Sequence, residues 1–218
     1  MAHVIRFFTK LLFFSSLIKV AKFFKISFMI GSTCAFFSGI NIALPIVGIF
    51  AGRMTSIAVC ILCFILRYLL FGFHSFHVLA YYVPGFCACL YFAYPNIFVR
   101  LILPILCMIL FILHPVGIQA FAYSFFWFIP VLIYCKKSKN IFLHALACTF
   151  VAHAVGSVIW IYSLPMNALV WNSLMPQVFL ERITFAIGIS IICKVIVYLR
   201  SKFAIDRRLS YSLKRSLL

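Results

Sequence analysis

Seven long apolar runs follow one another along the chain with only short polar segments between them. The runs cover residues 26–51, 54–72, 75–95, 98–113, 115–135, 141–164 and 170–199. A bilayer core is crossed by about 20 apolar residues in a helix, and 67% of this chain is hydrophobic, against about half in soluble domains. The sequence therefore predicts an all-α fold, a polytopic transmembrane helical bundle.

The chain is strongly basic, with 19 Lys and Arg residues against only two carboxylates, Glu181 and Asp206, and a net charge of +17. The cations lie in short flanks between apolar runs, a pattern that indicates membrane topology and contact with anionic lipid headgroups. A nucleic-acid partner is not expected, because no soluble basic domain is present to bind one.

The positions of the cations divide the chain into three parts. Residues 1–25 are predicted to form a basic helix in the cytoplasm or on the membrane surface, 26–199 the transmembrane helical domain, and 200–218 a basic cytoplasmic tail. Cations favour the cytoplasmic side, so both termini and the Lys136–Lys139 cluster should lie there. The expected location is the inner (cytoplasmic) membrane of a bacterial cell, with several crossings.

This orientation conflicts with seven regular crossings, because five spans before Lys136 would separate it from the N-terminus. We expect about six spanning helices plus one broken or partial segment among the first four runs, although seven stays open. One candidate is 98–113, which is short and contains Arg100 and Pro104; the other is 75–95, interrupted at Pro84. Irregular backbone is tolerated at membrane depth where protein or a water-filled cavity covers it.

Polar and aromatic residues recur at helical spacing in the outer halves of the last three runs. Residues four apart share a helix face, so these positions should line an outward-facing pocket that binds a small, aromatic or partly anionic molecule. The predicted substrate-binding residues are Gln119, Tyr123, Trp127, His153, Trp160 and Glu181.

Glu181 is the only carboxylate in any apolar run. Ionisable groups inside a bilayer are expensive, and they mark either a functional site or an internal ion pair. Both alternatives stay open for Glu181: it contacts the substrate, or it pairs with one of three arginines, Arg67, Arg100 or Arg182.

An enzyme is not expected, and neither is a cofactor or a metal. One intramembrane carboxylate cannot form an aspartyl pair, and the chain has no H-E-x-x-H zinc motif and no glycine-rich phosphate loop. The Cys60-x-x-Cys63 and Cys87-x-Cys89 pairs lie in apolar runs, where a thiol behaves as a small hydrophobe.

The first run carries Gly31, Ala35 and Gly39, a stripe of small residues that lets another helix approach closely, either within the chain or from a partner. With its length, its expected six helices and its basic N-terminus, the chain resembles the substrate-binding S component of energy-coupling factor vitamin transporters. The resemblance implies that this stripe docks a transmembrane coupling subunit, that two ATPases are supplied elsewhere, and that the pocket opens outward.

Two functions are compatible with these features. The first is solute uptake, with a small molecule such as a vitamin or its precursor bound in the outward-facing pocket. The second is a non-transporting assembly or scaffold protein, in which the same residues only hold helices together. Trp127→Ala and Glu181→Gln should abolish uptake under the first function and alter only stability or complex formation under the second.

Overall fold

The computed structural model describes residues 2–24, 39–71 and 77–202, and this part of the chain is predominantly helical, without strands. A π-helical turn at Phe98–Ile102 leads into α5, and a 3-10 turn at Phe125–Trp127 leads into α8. The helices are α1 (Ala2–Ala21), α2 (Ile40–Phe50), α3 (Arg53–Phe71), α4 (His77–Ala93), α5 (Leu103–Leu113), α6 (Pro115–Gln119), α7 (Phe121–Ser124), α8 (Phe128–Cys135), α9 (Ile141–Ser163), α10 (Ala168–Ser173) and α11 (Met175–Lys202).

Three of these helices are long and apolar enough to cross a membrane, over Arg53–Leu70, Ile141–Ser163 and Met175–Leu199. Shorter apolar helices occupy 40–50, 82–93, 98–113 and 121–135. The all-helical class and the presence of membrane-length helices agree with the prediction from sequence. Six crossings stay a prediction.

Helix α9 is the centre of the bundle. It packs against α4, α5, α8 and α11, and 11 of its 23 residues are buried, compared with 3 of 18 in the apolar span of α3. Its first half, around Cys148 and Val151, belongs to one hydrophobic core, and its second half, around Ala154 and Ile161, belongs to another. The second core carries the candidate site described below.

Helix α4 continues through Pro84, so the interruption expected there is wrong. Proline removes one backbone donor and crowds the preceding turn, but neighbouring helices can compensate for this in a membrane bundle. The side chain of Pro84 lies beside Gly156 of α9, where a β-carbon would sit 3.4 Å from its Cγ.

The backbone break falls instead within 115–135, where one regular helix was expected. This run is divided among α6, α7, the 3-10 turn and α8. Side chains satisfy part of the interrupted backbone: His114 Nδ1 accepts a hydrogen bond from the Val116 N–H at 3.2 Å, and the Tyr162 hydroxyl donates to the Leu110 carbonyl at 2.9 Å. The other proposed irregular segment, 98–113, is π-helical only in its first turn.

The N-terminal helix α1 packs against α2 and α3 through Phe14 and Ile18. Just beyond it, Lys22 Nζ donates a hydrogen bond to the Tyr82 hydroxyl at 2.7 Å and lies 4.9 Å from the centre of that ring. Most of the 200–218 tail lies outside the described residues. The three-part division of the chain therefore stays a prediction.

Helix α2 lies close to the backbone of α4 at Gly48. A β-carbon there would overlap the carbonyl oxygen of Cys89. We expect Gly48→Ala to lower the free energy of unfolding by about 1–3 kcal/mol through overpacking, although alanine is the better helix former. Thermal unfolding in mild detergent measures this effect. Gly156→Ala is the matched control, and equal stability of the two variants would contradict the close crossing.

Candidate functional site

A hydrogen bond between α7 and α9 lies at the centre of the second core. The Tyr123 hydroxyl is 2.8 Å from Nε2 of His153, and the Ser157 hydroxyl, one turn further along α9, is 3.4 Å from the same nitrogen. His153 and Ser157 thus share one face of α9, as their spacing predicts. Tyr123 and Ser157 are buried, with exposed fractions of 1% and 4%.

The break in the 115–135 run determines which residues join this site. Ala120, with φ −111° and ψ 30°, ends α6 and starts the four-residue helix α7. Because the helix does not continue, Gln119 lies on the exposed surface, whereas Tyr123 and Trp127 are buried. The expectation that these three residues share one helix face is therefore wrong.

Four aromatic side chains from four segments pack together here; we call Phe111, Tyr123, Trp127 and Trp171 the aromatic cluster. The ring of Phe111 stacks on Tyr123 with centroids 5.6 Å apart and meets both indoles edge to face, at 5.3 Å and 5.2 Å. Trp171 also meets Tyr123 edge to face at 5.0 Å. Such pairs contribute about 0.5–1.5 kcal/mol each beyond burial.

A charged pair on α11 borders the aromatic cluster. Arg182 Nη2 lies 3.5 Å from Glu181 Oε2, and Gln177 Nε2 donates to the other carboxylate oxygen at 3.1 Å. The Arg182 guanidinium also lies 5.0 Å from the centre of the Phe185 ring and acts electrostatically on His153 and Tyr123. Arg182 is thus the arginine that pairs with Glu181 in this structure.

Two indole N–H groups are buried within the aromatic cluster. Trp127 and Trp171 are 0% and 3% exposed, and within the described part of the chain neither indole nitrogen has a hydrogen-bond acceptor. A buried donor without an acceptor costs about 1–3 kcal/mol. These two donors therefore leave hydrogen-bonding capacity at the site that no described residue uses.

No family model, curated protein or solved structure matches the chain. Its function therefore has to follow from its own residues, and the resemblance to S components stays a prediction.

The structure brings four of the six predicted substrate-binding residues to this site: Tyr123, Trp127, His153 and Glu181. Trp160 is half-buried and packs against the same core from α9, while Gln119 lies outside it. Sequence reasoning did not assign Phe111, Trp171 or Arg182 to the pocket. Two of these could have been found from the sequence. Trp171 is an aromatic residue in the outer loop, and Arg182 is the cation next to Glu181.

The small-residue stripe is described only at Gly39. A β-carbon at Gly39 would lie 2.8 Å from the Ala21 carbonyl oxygen, so this glycine permits close packing against the end of α1. Gly31 and Ala35 lie outside the described residues. A partner-helix interface at this stripe stays a prediction.

A second group of buried polar side chains lies near the Lys136–Lys139 loop and holds helices together. His144 bridges α9 to both sides: its Nδ1 is 3.2 Å from the Tyr91 hydroxyl, and its Nε2 is 2.6 Å from the Ser138 carbonyl oxygen. Arg100 Nε donates to the Tyr91 carbonyl at 3.4 Å, with the guanidinium 4.9 Å from the Tyr91 ring centre. Within the described ranges, no three His, Cys, Asp or Glu residues are arranged to hold a metal ion.

The hydrogen bond from Tyr123 should contribute modestly to stability. We expect Tyr123→Phe to lower the free energy of unfolding by about 1 kcal/mol, the net value of one hydrogen bond, because the ring contacts stay and the 2.8 Å contact to His153 is lost. Thermal unfolding in detergent measures it. Tyr198→Phe, at a position 62% exposed, is the control, and an identical midpoint for both variants would show that this contact is not stabilising.

Proposed function

We propose that this chain is an integral membrane solute-uptake protein that binds a small molecule at the aromatic cluster and the adjoining Glu181–Arg182 pair. The binding site lies in the half of the bundle remote from the Lys136–Lys139 loop. With that loop in the cytoplasm, the site faces outward.

One observation carries the proposal: an ion pair, a Tyr–His hydrogen bond and two indole donors are grouped in one half of an apolar bundle. His153 lies twelve residues after the start of α9, about 18 Å along the helix. If α9 begins at the membrane boundary, this position is near the middle of a hydrocarbon layer about 30 Å thick. Charged groups at that depth cost about 2.5–3.5 kcal/mol each on insertion scales.

The residue types suit recognition of a small molecule with a flat apolar part and a polar end. The aromatic rings offer edges and faces for stacking, while Arg182, His153 and the indole N–H groups offer donors that fix orientation. In the conformation described, the aromatic cluster is closed. Entry of a solute requires a movement. The six-residue helix α10, which carries Trp171 and packs against α6, α7 and α11, is the segment proposed to move.

The partner proteins follow from the resemblance to S components. We propose that the chain acts as the binding subunit of an energy-coupling factor transporter in a bacterial cytoplasmic membrane, with both termini in the cytoplasm. A transmembrane coupling subunit and two ATPases would then supply the energy. The chain would bind its solute and carry out no reaction on it.

The proposal is tested by purifying the protein from its native membrane in mild detergent and identifying both co-purifying proteins and bound small molecules by mass spectrometry. A stoichiometric metabolite, lost from Trp171→Ala and retained by the surface variant Leu169→Ala, is the expected result. Leu169 lies on the same helix and is 79% exposed. A protein that carries no metabolite would favour the scaffold function, and one without a coupling subunit or ATPases would contradict the S-component assignment.

A further inference from the structure

The hydrogen-bonding groups at the site are predominantly donors. The Arg182 guanidinium and the two indoles can only donate, and the indoles lack acceptors among the described residues. Glu181 is the one carboxylate in the described part of the chain. The complementary solute is therefore rich in acceptors, and a group that matches a guanidinium best is a planar anion such as a carboxylate.

The Glu181–Arg182 pair has the geometry of an exchangeable contact. Its 3.5 Å separation exceeds the distance of about 2.7–2.9 Å found for a charge-assisted hydrogen bond. The guanidinium side is the more deeply buried, with 5% of the Arg182 side chain exposed against 14% for Glu181. Glu181 is also held by Gln177, so it keeps a partner when it moves away from Arg182.

We infer that the solute carries a carboxylate that replaces Glu181 on Arg182, and that Glu181 takes up one proton in the exchange. This inference rests on the proposed function. A solute anion and a proton enter the site together. The solute anion forms the new ion pair with Arg182. The proton binds to Glu181, which becomes a neutral acid hydrogen-bonded to Gln177. The net charge of the site is unchanged, which an apolar surrounding requires because an unpaired buried charge is costly.

Other titratable groups face this carboxylate, and they define the alternatives for the proton. His153 of α9 and Tyr123 of α7 both interact electrostatically with Arg182, and Tyr123 also interacts with Glu181. Glu181 is the group whose charge loses its counter-ion in the exchange. It is therefore the group for which proton uptake restores neutrality.

Pairs of small molecules that differ only in the charge of one group test whether the solute carries a carboxylate. Benzoate and benzamide, nicotinate and nicotinamide, and indole-3-acetate and indole-3-acetamide are added to the full chain in detergent at pH 6, and the thermal midpoint is recorded. We expect at least one acid to raise the midpoint, with its amide binding at least tenfold more weakly. Stabilisation by amides alone, or by no member of any pair, would overturn the inference.

The Glu181→Gln variant tests whether Glu181 is the group that takes up the proton. In the wild type, binding of the stabilising acid should take up one proton per solute in weakly buffered solution, and its Kd should rise about tenfold per pH unit where Glu181 is ionised in the empty protein. In Glu181→Gln, uptake should be absent and the Kd independent of pH. Proton uptake that persists in Glu181→Gln would overturn the inference and assign the proton to His153.

The two proposals fail in distinguishable ways. A neutral metabolite bound to the protein from native membranes would leave solute binding standing and overturn the carboxylate exchange. A protein that retains no metabolite and responds to no probe would contradict both.

Discussion

Glu181→Gln should lower the free energy of unfolding by about 3 kcal/mol, one of the two largest effects expected of a single substitution in this protein. Breaking a buried ion pair by removing one partner leaves an uncompensated charge and costs about 3–5 kcal/mol. Arg182 is 4% exposed and stays charged at any accessible pH. The amide oxygen of glutamine keeps a weaker hydrogen bond, which places the effect at the lower end of the range.

The measurement is thermal or denaturant unfolding in mild detergent, with Thr184→Ala as the matched control. Thr184 lies one turn further along α11, and its hydroxyl bonds only to its own helix, at the Leu180 carbonyl. Its replacement should change stability by less than about 0.5 kcal/mol. The double variant Glu181→Gln, Arg182→Met should recover much of the loss, because replacing both members of a buried pair is often neutral. A double variant as unstable as Glu181→Gln would show that the two charges are not coupled.

Benzoate gives this prediction a second measurement. If an added carboxylate supplies the missing counter-charge, it should stabilise Glu181→Gln by more than it stabilises the wild type. Equal stabilisation would indicate that the acid binds away from Arg182.

Trp127→Ala is the second substitution with a large expected effect, about 3–5 kcal/mol. Replacement of a fully buried Trp by Ala loses both the transfer free energy and the contacts around the cavity. Trp127 is 0% exposed and loses edge-to-face contacts with Phe111 at 5.3 Å and with Tyr123 at 6.2 Å. Phe125→Ala is the control from the same 3-10 turn, where the side chain is 53% exposed. Similar losses in unfolding experiments on the two variants would contradict the burial of Trp127.

Trp127→Phe separates the role of this side chain in packing from its role in binding. It keeps an aromatic ring and removes the N–H that has no acceptor among the described residues. We expect near wild-type stability together with weaker retention of the native metabolite. If Trp127→Phe retains the metabolite as well as the wild type does, this N–H does not take part in binding.

The sequence predicts the long helices well, because about 20 consecutive apolar residues allow few other structures. The predicted span 141–164 corresponds to Ile141–Ser163, and 54–72 corresponds to Arg53–Phe71. The last run, 170–199, is divided into α10 and α11 at Leu174, just ahead of Pro176. The class of fold and its membrane-length helices thus follow from hydropathy.

The position of the backbone break does not follow from local sequence. Pro84 predicts a break that tertiary packing overrides, whereas Ala120, a good helix former, ends a helix. Hydropathy cannot detect such a break, because the residues on both sides are equally apolar. Because the break at Ala120 was not predicted, regular helical spacing placed Gln119 on the same face as Tyr123 and wrongly assigned it to the pocket.

The candidate site was predictable where spacing within one regular helix decides it. His153 with Ser157 and Gln177 with Glu181 are both pairs at i, i+4 and both are in contact. Contacts between segments were not predictable in this way. The partner of Glu181 was one of three arginines in the sequence, and the meeting of Phe111 with Trp171 depends on how α5 and α10 pack.

All three tryptophans of the chain, Trp127, Trp160 and Trp171, belong to or pack against the second hydrophobic core. The tryptophan fluorescence of the whole protein therefore originates from one region, with no background from indoles elsewhere. Emission wavelength and quenching by acrylamide become local reports on the polarity and accessibility of the candidate site. Opening of α10 can consequently be followed in real time, without labels, in a membrane of native composition.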